Sequence, residues 1–374
     1  MEQQAWRSAE LADLPALLAL EQQAFQGDRL TRRQLRWLIQ KGHAQLDLLQ
    51  IKKDACWQLA GYVLLLFHRG TSLARLYSLA VAPDWQGQGL GQLLLARAET
   101  LALAEGCAMV RLEVRQDNLV ALKLYQQQGY RRFAQYADYY EDHSPAWRLQ
   151  KRLRKAPEGV QRHVPYYQQT LPFTCGPAAL LMAMGAQQAE TRLDQRHELQ
   201  LWREATSIFM TSGHGGCGPR GLALAAWRRG FAVSLWVNQE GPLFTKGVRS
   251  PMKKEVLEKV HQDFSEQLAE QGIEEQRTAI SLQDMQQALE AGWIPLILMS
   301  SWRMSRSKSP HWVVVTALDA QFVYIHDPEI DEEDQKSCLD TQQVPITHLE
   351  FERMACFGQE KLRACVLVGP VRAA

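Results

Sequence analysis

The sequence lacks the usual marks of a disulfide-bonded, zinc-binding or membrane protein. Its seven cysteines (Cys56, Cys107, Cys175, Cys217, Cys338, Cys356 and Cys365) are odd in number and scattered, with no C-x-x-C pair. A disulfide framework and a metal site are therefore not expected, and a reducing, cytoplasmic setting suits the chain best. Long apolar runs are missing too. Residues 62–67 and 312–315 are strand-sized, well short of the roughly 20 residues of a membrane span. The opening MEQQAWRSAELADLP has no basic segment followed by an apolar one, so no secretory leader is expected. Charge of one sign is also lacking. The net charge is +1, with 19 basic and 15 acidic side chains in the first 152 residues and 23 and 26 in the rest. Neither part has the basic excess that would point to nucleic acid or an anionic membrane.

What is present is enough apolar material for two cores: 374 residues, 46% hydrophobic and 22% charged. Residues 9–25 and 30–39 carry apolar side chains at helical spacing, and 45–51 and 59–67 read as strands joined by the turn Lys52-Lys53-Asp54. A strand at 75–81 runs into a glycine-rich turn and a helix at 91–104. A strand at 109–114, a helix at 118–128 and closing strands at 130–140 and 144–150 complete an α+β pattern. The charged, aperiodic 151–163, with Pro157 and Gly159, is the expected boundary, giving domains at 1–152 and 163–374 with a linker at 153–162. Beyond it the pattern predicts a helix after Cys175 and another at 222–229. A strand at 232–237 and a charged, solvent-facing helix at 252–271 should follow. Ser281 and Asp284 form a capping box ahead of a short helix, and strands are expected at 294–300, 312–318, 322–325 and 362–368. A helix packed on an antiparallel sheet is the expected second fold.

Two stretches carry chemistry. The first is Leu79-Ala80-Val81-Ala82-Pro83-Asp84-Trp85-Gln86-Gly87-Gln88-Gly89-Leu90-Gly91-Gln92, a strand, turn and helix whose glycines let backbone N–H groups approach an anion at a helix N-terminus. It is not a dinucleotide loop, because Gln92 stands where G-x-G-x-x-G needs glycine, and no Gly-Lys-Ser/Thr makes it a P-loop. Downstream lie Leu112-Glu113-Val114-Arg115, Asn118 and Leu124-Tyr125. Together these residues resemble the GNAT acetyltransferases, and among them the bacterial ribosomal-protein-alanine N-acetyltransferases, over about 150 residues. The resemblance implies a mixed, mostly antiparallel sheet flanked by helices, with acetyl-CoA as cofactor. Leu79, Ala80 and Val81 would hold the pantetheine arm, residues Gln86, Gly87, Gln88, Gly89, Leu90, Gly91 and Gln92 the pyrophosphate, and Asn118 would contact the cofactor. Glu113 and Tyr125 stand where that subfamily places a general base and a general acid. An amine must lose a proton to attack a thioester and the departing thiolate must gain one. Singly, a strand Glu is ordinarily solvated and a helix Tyr ordinarily packs.

The second stretch is Gln169-Thr170-Leu171-Pro172-Phe173-Thr174-Cys175-Gly176-Pro177, followed by the apolar 178–184. Proline suits the first turn of a helix, and a cysteine there feels the positive end of the helix dipole, which favours the thiolate. A thiol nucleophile needs a base, and the base an orienter. His311 opens one expected strand and Asp327 ends the next, so antiparallel pairing would bring them together. Each residue alone has a plainer reading, Cys175 as a small buried hydrophobe and His311 as a satisfied core histidine. Jointly the four resemble the bacteriocin-processing cysteine peptidases, a papain-like family that cuts after double-glycine leaders, over roughly 163–370. The resemblance assigns Gln169 the oxyanion, Cys175 the attack, His311 the proton and Asp327 the orientation.

This chain shows no transmembrane segment or ATPase motif, so the transporter context and leader substrate do not carry over. A second Gly-Cys217-Gly-Pro, preceded by His214, has Thr211 rather than glutamine six residues ahead and reads as a glycine-rich wall of the cleft. Arg303, Arg306 and Lys308 read as a solvated basic loop. The combined expectation is an N-acetyltransferase fused to a cysteine peptidase, both acting on peptide or protein substrates, with no nucleic acid, membrane or metal partner. The alternatives are that one domain is an inactive binding module, or that Cys175 performs another acyl transfer, such as deamidation or amide ligation.

Overall fold

Strand residues 60–67 are buried without alternation, the pattern of a strand covered on both faces. In the computed structural model, which describes residues 3–53, 55–153, 159–210, 213–245, 248–305, 309–330 and 340–372, two helical layers supply that cover. The chain forms two compact units, Met1–Lys155 and Ala156–Ala374. The expected turn residue Asp54 lies outside the described residues.

The first unit is a seven-stranded sheet: β1 (Gln4–Ser8), β2 (Ala44–Lys53), β3 (Cys56–Phe67), β4 (Leu73–Val81), β5 (Met109–Arg115), β6 (Arg131–Tyr136) and β7 (Ala146–Arg152), in the order β1-β2-β3-β4-β5-β7-β6. Only β4 and β5 pair in parallel. Its helices are α1 (Leu14–Ala24), α2 (Arg32–Gln40), α3 (Leu90–Ala104) and α4 (Leu119–Gln127). Successive β3 side chains go to opposite layers. Val63, Leu65 and Phe67 join Leu94, Leu95 and Ala98 of α3, while Tyr62, Leu64 and Leu66 join Leu17, Leu20, Leu35 and Leu38 of α1 and α2. Period-2 alternation persists here, hidden because both faces are apolar.

The second unit opens with β8 (Gly159–Gln161), inside the stretch expected to be linker. It pairs with β14 (Pro310–Asp319). Helices α5 (Cys175–Gln187) and α6 (Gln195–Ala205) follow, then a short hairpin of β9 (Phe209–Met210) and β10 (Gly213–His214). Next come α7 (Pro219–Arg228), β11 (Phe231–Val237), α8 (Pro251–Glu270), β12 (Glu275–Gln276), α9 (Leu282–Glu290), β13 (Ile294–Ser300) and α10 (Trp302–Ser305). After β14 come β15 (Phe322–His326), β16 (Val344–Thr347), α11 (His348–Met354) and β17 (Ala364–Val371). The sheet runs β12-β11-β17-β13-β14-β15-β16, antiparallel except between β11 and β12.

Helix α5 is buried from Cys175 to Met184 on every side. A helix apolar all round belongs in a core, and this one packs between the sheet and α6 and α7. From β14, Trp312 and Val314 join the layer that holds α5, while Val313 and Val315 face Met285 and Leu289 of α9. The capping box of Ser281 and Asp284 forms as expected, with Asp284 N donating to Ser281 Oγ at 3.1 Å. Two expectations need correction. Helix α8 is not wholly solvent-facing, since Leu257 and Leu268 are buried. Arg303 is exposed as expected, but it sits on the short helix α10 rather than in a loop, and its guanidinium pairs with Glu350 at 2.5 Å. Arg306 and Lys308 lie outside the described residues. No helix among those described is long and apolar enough to cross a membrane.

Candidate active sites

In the first unit, β4 and β5 begin side by side and then part. Leu73, Ala74 and Arg75 pair with Met109, Val110 and Arg111, and no pairing continues beyond them. On its other edge β4 stays with β3, where Tyr77 is the extra residue of a bulge between Leu76 and Ser78. A bulge bends its strand and turns it away from a neighbour. The backbone of Leu79, Ala80 and Val81, paired to Val63, Tyr62 and Gly61, therefore borders a gap on the β5 side.

The glycine turn closes the end of that gap. Gly87 and Gly89 have φ of +76° and +80°, and a Cβ at either would meet nothing within 4 Å. Conformation rather than crowding requires glycine at both. Gly89 is the N-cap of α3, with no side chain capping the helix, so its first N–H groups stay available to an anion. Gly91 has another role: a Cβ there would lie 3.3 Å from Leu124 Cδ2, so it lets α3 and α4 pack closely. Gln86 and Gln88 donate to Val81 O and Asp84 O, both at 3.4 Å, and tie the turn to its strand. Leu90 is buried, whereas Gln92 is exposed on the first turn of α3. Asn118 caps α4, its side chain accepting from Ala121 N at 3.0 Å, which leaves its amide donors unengaged by the cap.

Glu113 stands on β5, where Arg75 Nε donates to its Oε2 at 3.1 Å and both side chains are 5% exposed. Arg75 also donates to Tyr139 Oη at 2.8 Å and lies over the Tyr77 ring. Burial pushes the Tyr125 hydroxyl up to about 12, so it keeps its proton at neutral pH. Arg75 and Tyr139 escaped the sequence reading, since nothing in local spacing marks a residue whose partner lies across the sheet.

In the second unit, His311 and Asp327 meet at the end of the β14–β15 pair, His311 Nε2 lying 2.6 Å from Asp327 Oδ1. Both residues are 5% exposed. The aspartate is itself fixed: Oδ1 accepts from Glu329 N at 2.9 Å, its N–H donates to Thr341 O at 2.7 Å, and Tyr166 Oη donates to its carbonyl at 3.1 Å. Cys175, the first residue of α5, lies beside the His311 imidazole. With Nε2 engaged by Asp327, Nδ1 remains for the sulfur, and Glu329 Oε2 lies 4.0 Å from it. Burial alone would depress the imidazole. The charge and hydrogen bond of Asp327, reinforced by Cys175, more than reverse this and hold His311 well above its ordinary range.

A raised folded-state value sets the sign of the pH dependence. The stabilisation is complete below the unfolded value, roughly 6.5, and is lost as pH rises through the folded one. In Asp327→Asn, burial acts without the opposing carboxylate, so the ring should titrate at or below the ordinary histidine range. Imidazole proton NMR across a pH series checks this; an unmoved titration would contradict the role given to Asp327.

Gln169 sits on the strap before α5, its N–H donating to Pro328 O at 2.9 Å and its Nε2 to Leu171 O at 3.1 Å. A carbonyl can only accept, so this contact fixes the amide's orientation and leaves one of its two N–H bonds for another acceptor. Cys217 is buried behind α5. Burial, then the neighbouring Cys175, pushes its thiol well up, and its carbonyl accepts from Trp312 Nε1 at 2.9 Å. It packs against the helix rather than presenting a nucleophile. The side chain of His214, and Thr211 altogether, lie outside the described residues. Glu198 of α6, which takes hydrogen bonds from Thr170 and Thr174 beside Cys175, also escaped the sequence reading. Among the described residues no cluster of His, Cys, Asp and Glu could hold a metal ion.

A GNAT-like sheet domain and a sheet-rich second unit, each with its own cluster of candidate residues, lie on one chain. Residues 164–369 match the Peptidase_C39 like family, and the chain belongs to it. Residues 14–130 match the Acetyltransferase (GNAT) family, and the first unit is a GNAT acetyltransferase domain. A curated relative, mycothiol acetyltransferase of Saccharopolyspora erythraea, is 31% identical over 118 residues, covering 28% of this chain and 39% of the relative. The match thus spans about two fifths of that protein's length. Among solved structures, the ribosomal-protein-S18-alanine N-acetyltransferase from Escherichia coli is 26% identical, with a TM-score of 0.37 and coverage of 42% of this chain and 97% of that one. Ard1 from Thermoplasma volcanium is 21% identical, with a TM-score of 0.36 and coverage of 41% and 99%. The domain assignments rest on the family matches, not on these overlaps.

Proposed function

We propose that the protein is bifunctional, an acetyl-CoA-dependent N-acetyltransferase joined to a cysteine peptidase, both acting on peptides or proteins. The observation that carries the peptidase half is the buried 2.6 Å contact between His311 and Asp327, with Cys175 beside the imidazole. His311 takes the Cys175 proton and the sulfur adds to a peptide carbonyl. The oxygen, now negative, is met by the Gln169 amide and the first N–H groups of α5. His311 returns the proton to the leaving amine, and water cleaves the thioester to restore Cys175.

In the acetyltransferase half, the left-handed glycines and the parted strands fit acetyl-CoA: an anion turn at one end of a gap bordered by unpaired backbone. Residues 86–92 would hold the diphosphate, Leu79, Ala80 and Val81 the pantetheine arm, and the Asn118 amide a further polar group. When bound, the cofactor supplies an activated acyl thioester. Glu113, ion-paired with Arg75, takes the proton of the acceptor amine, and Tyr125 holds the proton that the departing thiolate receives.

Cleavage exposes an amine, and acetylation consumes one. The two sites would act in sequence on one chain, the peptidase creating the terminus that the transferase caps. Comparing the N-termini of a host proteome with wild type and with Cys175→Ala tests this. Acetylated new termini that require Cys175 are expected; acetylation indifferent to Cys175 would break the coupling.

A further inference from the structure

Glu198 is fully buried on α6, and its side chain forms no ion pair among the described residues. Burying such a group is costly unless hydrogen bonds replace its water. Here four donors do so, two to each oxygen. Oε1 accepts from Thr170 N at 2.8 Å and Thr174 Oγ1 at 2.5 Å; Oε2 accepts from Thr170 Oγ1 at 2.6 Å and Tyr167 Oη at 3.0 Å. A carboxylate offers about four acceptor positions, and all are filled by the strap that leads into Cys175.

Two consequences bear on the thiol. Gln169 adjoins Thr170, which is pinned to Glu198, while its own N–H is pinned to Pro328 beside Asp327. The strap is thus anchored at both edges of the cleft, and the glutamine amide is aimed by the two anchors. Thr174 is the N-cap residue of α5, a type that ordinarily accepts from the helix's own N–H groups. It makes no such cap. Its hydroxyl accepts from Leu171 N at 3.3 Å, and its single proton lies between Glu198 Oε1 at 2.5 Å and Leu171 O at 2.9 Å, both away from the helix's N–H groups. Because Pro177 has no N–H, the remaining first-turn donors are Cys175 N and Gly176 N, both left uncapped beside the sulfur.

We infer that Glu198 is the positioning residue for the oxyanion side of this site: it holds the 167–174 strap so that Gln169 faces the reacting carbonyl and α5 stays uncapped. The inference rests on the thiol-nucleophile reading above. It predicts a split between two reactions of the same sulfur. With p-nitrophenyl acetate, the Cys175 sulfur bonds to the acetyl carbon and the bond to p-nitrophenolate breaks, after negative charge has passed through the carbonyl oxygen. With iodoacetamide, sulfur displaces iodide and no oxyanion forms. Both rates are taken as the part lost in Cys175→Ala.

In Glu198→Gln, an amide would set its own N–H bonds against two of the four donors and release the strap. Acylation should slow by about 10- to 100-fold, the scale of losing an oxyanion donor or somewhat less, with alkylation unchanged. Gln169→Ala should give the same split. Thr170→Val, which keeps the carboxylate and the backbone contact, should give a smaller split and guards against a variant that does not fold. Equal slowing of both reactions in these variants, or of neither, overturns the inference. A wild type whose acylation and alkylation do not depend on Cys175 overturns the nucleophile reading itself and this inference with it.

Discussion

His311→Ala is expected to slow alkylation of Cys175 by iodoacetamide about 100- to 10,000-fold, the range that a positioned base contributes. Cys175 is 9% exposed and the imidazole beside it is the group placed to take its proton. Alanine removes that acceptor and leaves Asp327, 5% exposed, without the ring it orients. Cys56 is exposed and belongs to the first unit, so its alkylation should not change. Residue-resolved mass spectrometry over a time course reads both cysteines in one sample. Parallel slowing at Cys56 would mean that the variant altered the chain generally rather than the Cys175 site.

Gly89→Val should weaken acetyl transfer while leaving Cys175 chemistry intact. The backbone at Gly89 has φ of +80°, and a side chain there has room but not the right conformation. Left-handed backbone costs an ordinary residue roughly 1–2 kcal/mol, and β-branching makes it worse. Escaping that strain would turn the first N–H groups of α3 away from the anion they face. At about 1.4 kcal/mol per tenfold, binding should weaken by about fivefold to thirtyfold, and by more with β-branching. The readout is thermal stabilisation by CoA, which follows the ratio of ligand concentration to dissociation constant. Wild type should be stabilised and Gly89→Val should not, at concentrations near the wild-type dissociation constant. Undiminished stabilisation of the variant would move the diphosphate away from this turn.

What the sequence made legible were the features whose cause is local. Gly87 and Gly89 mark a turn because only glycine takes their conformation without strain. His311 and Asp327 could be paired because antiparallel strands joined by a short connection must return past one another. The buried runs of β3 and β14 were recognisable as strands, though not which side chain goes to which layer. That depends on helices contributed from elsewhere in the chain. Strand β8 lay in a charged stretch without periodicity, and it is a strand only because β14 offers it an edge. Glu198, Arg75 and Tyr139 were invisible for a related reason. A buried charge is identified by the partners that converge on it in space, and those of Glu198 sit on a strap that no spacing rule connects to α6. The pairing of the exposed Arg303 with Glu350 was hidden likewise, since Glu350 lies far along the sequence.

The order in which wild-type cysteines react with limiting iodoacetamide tests the central claim most directly. If His311 activates Cys175, this largely buried residue, 9% exposed, is alkylated before the exposed Cys56. Alkylation of Cys56 first, with Cys175 reacting only on unfolding, would show that Cys175 is a core cysteine and that the line to Asp327 is structural.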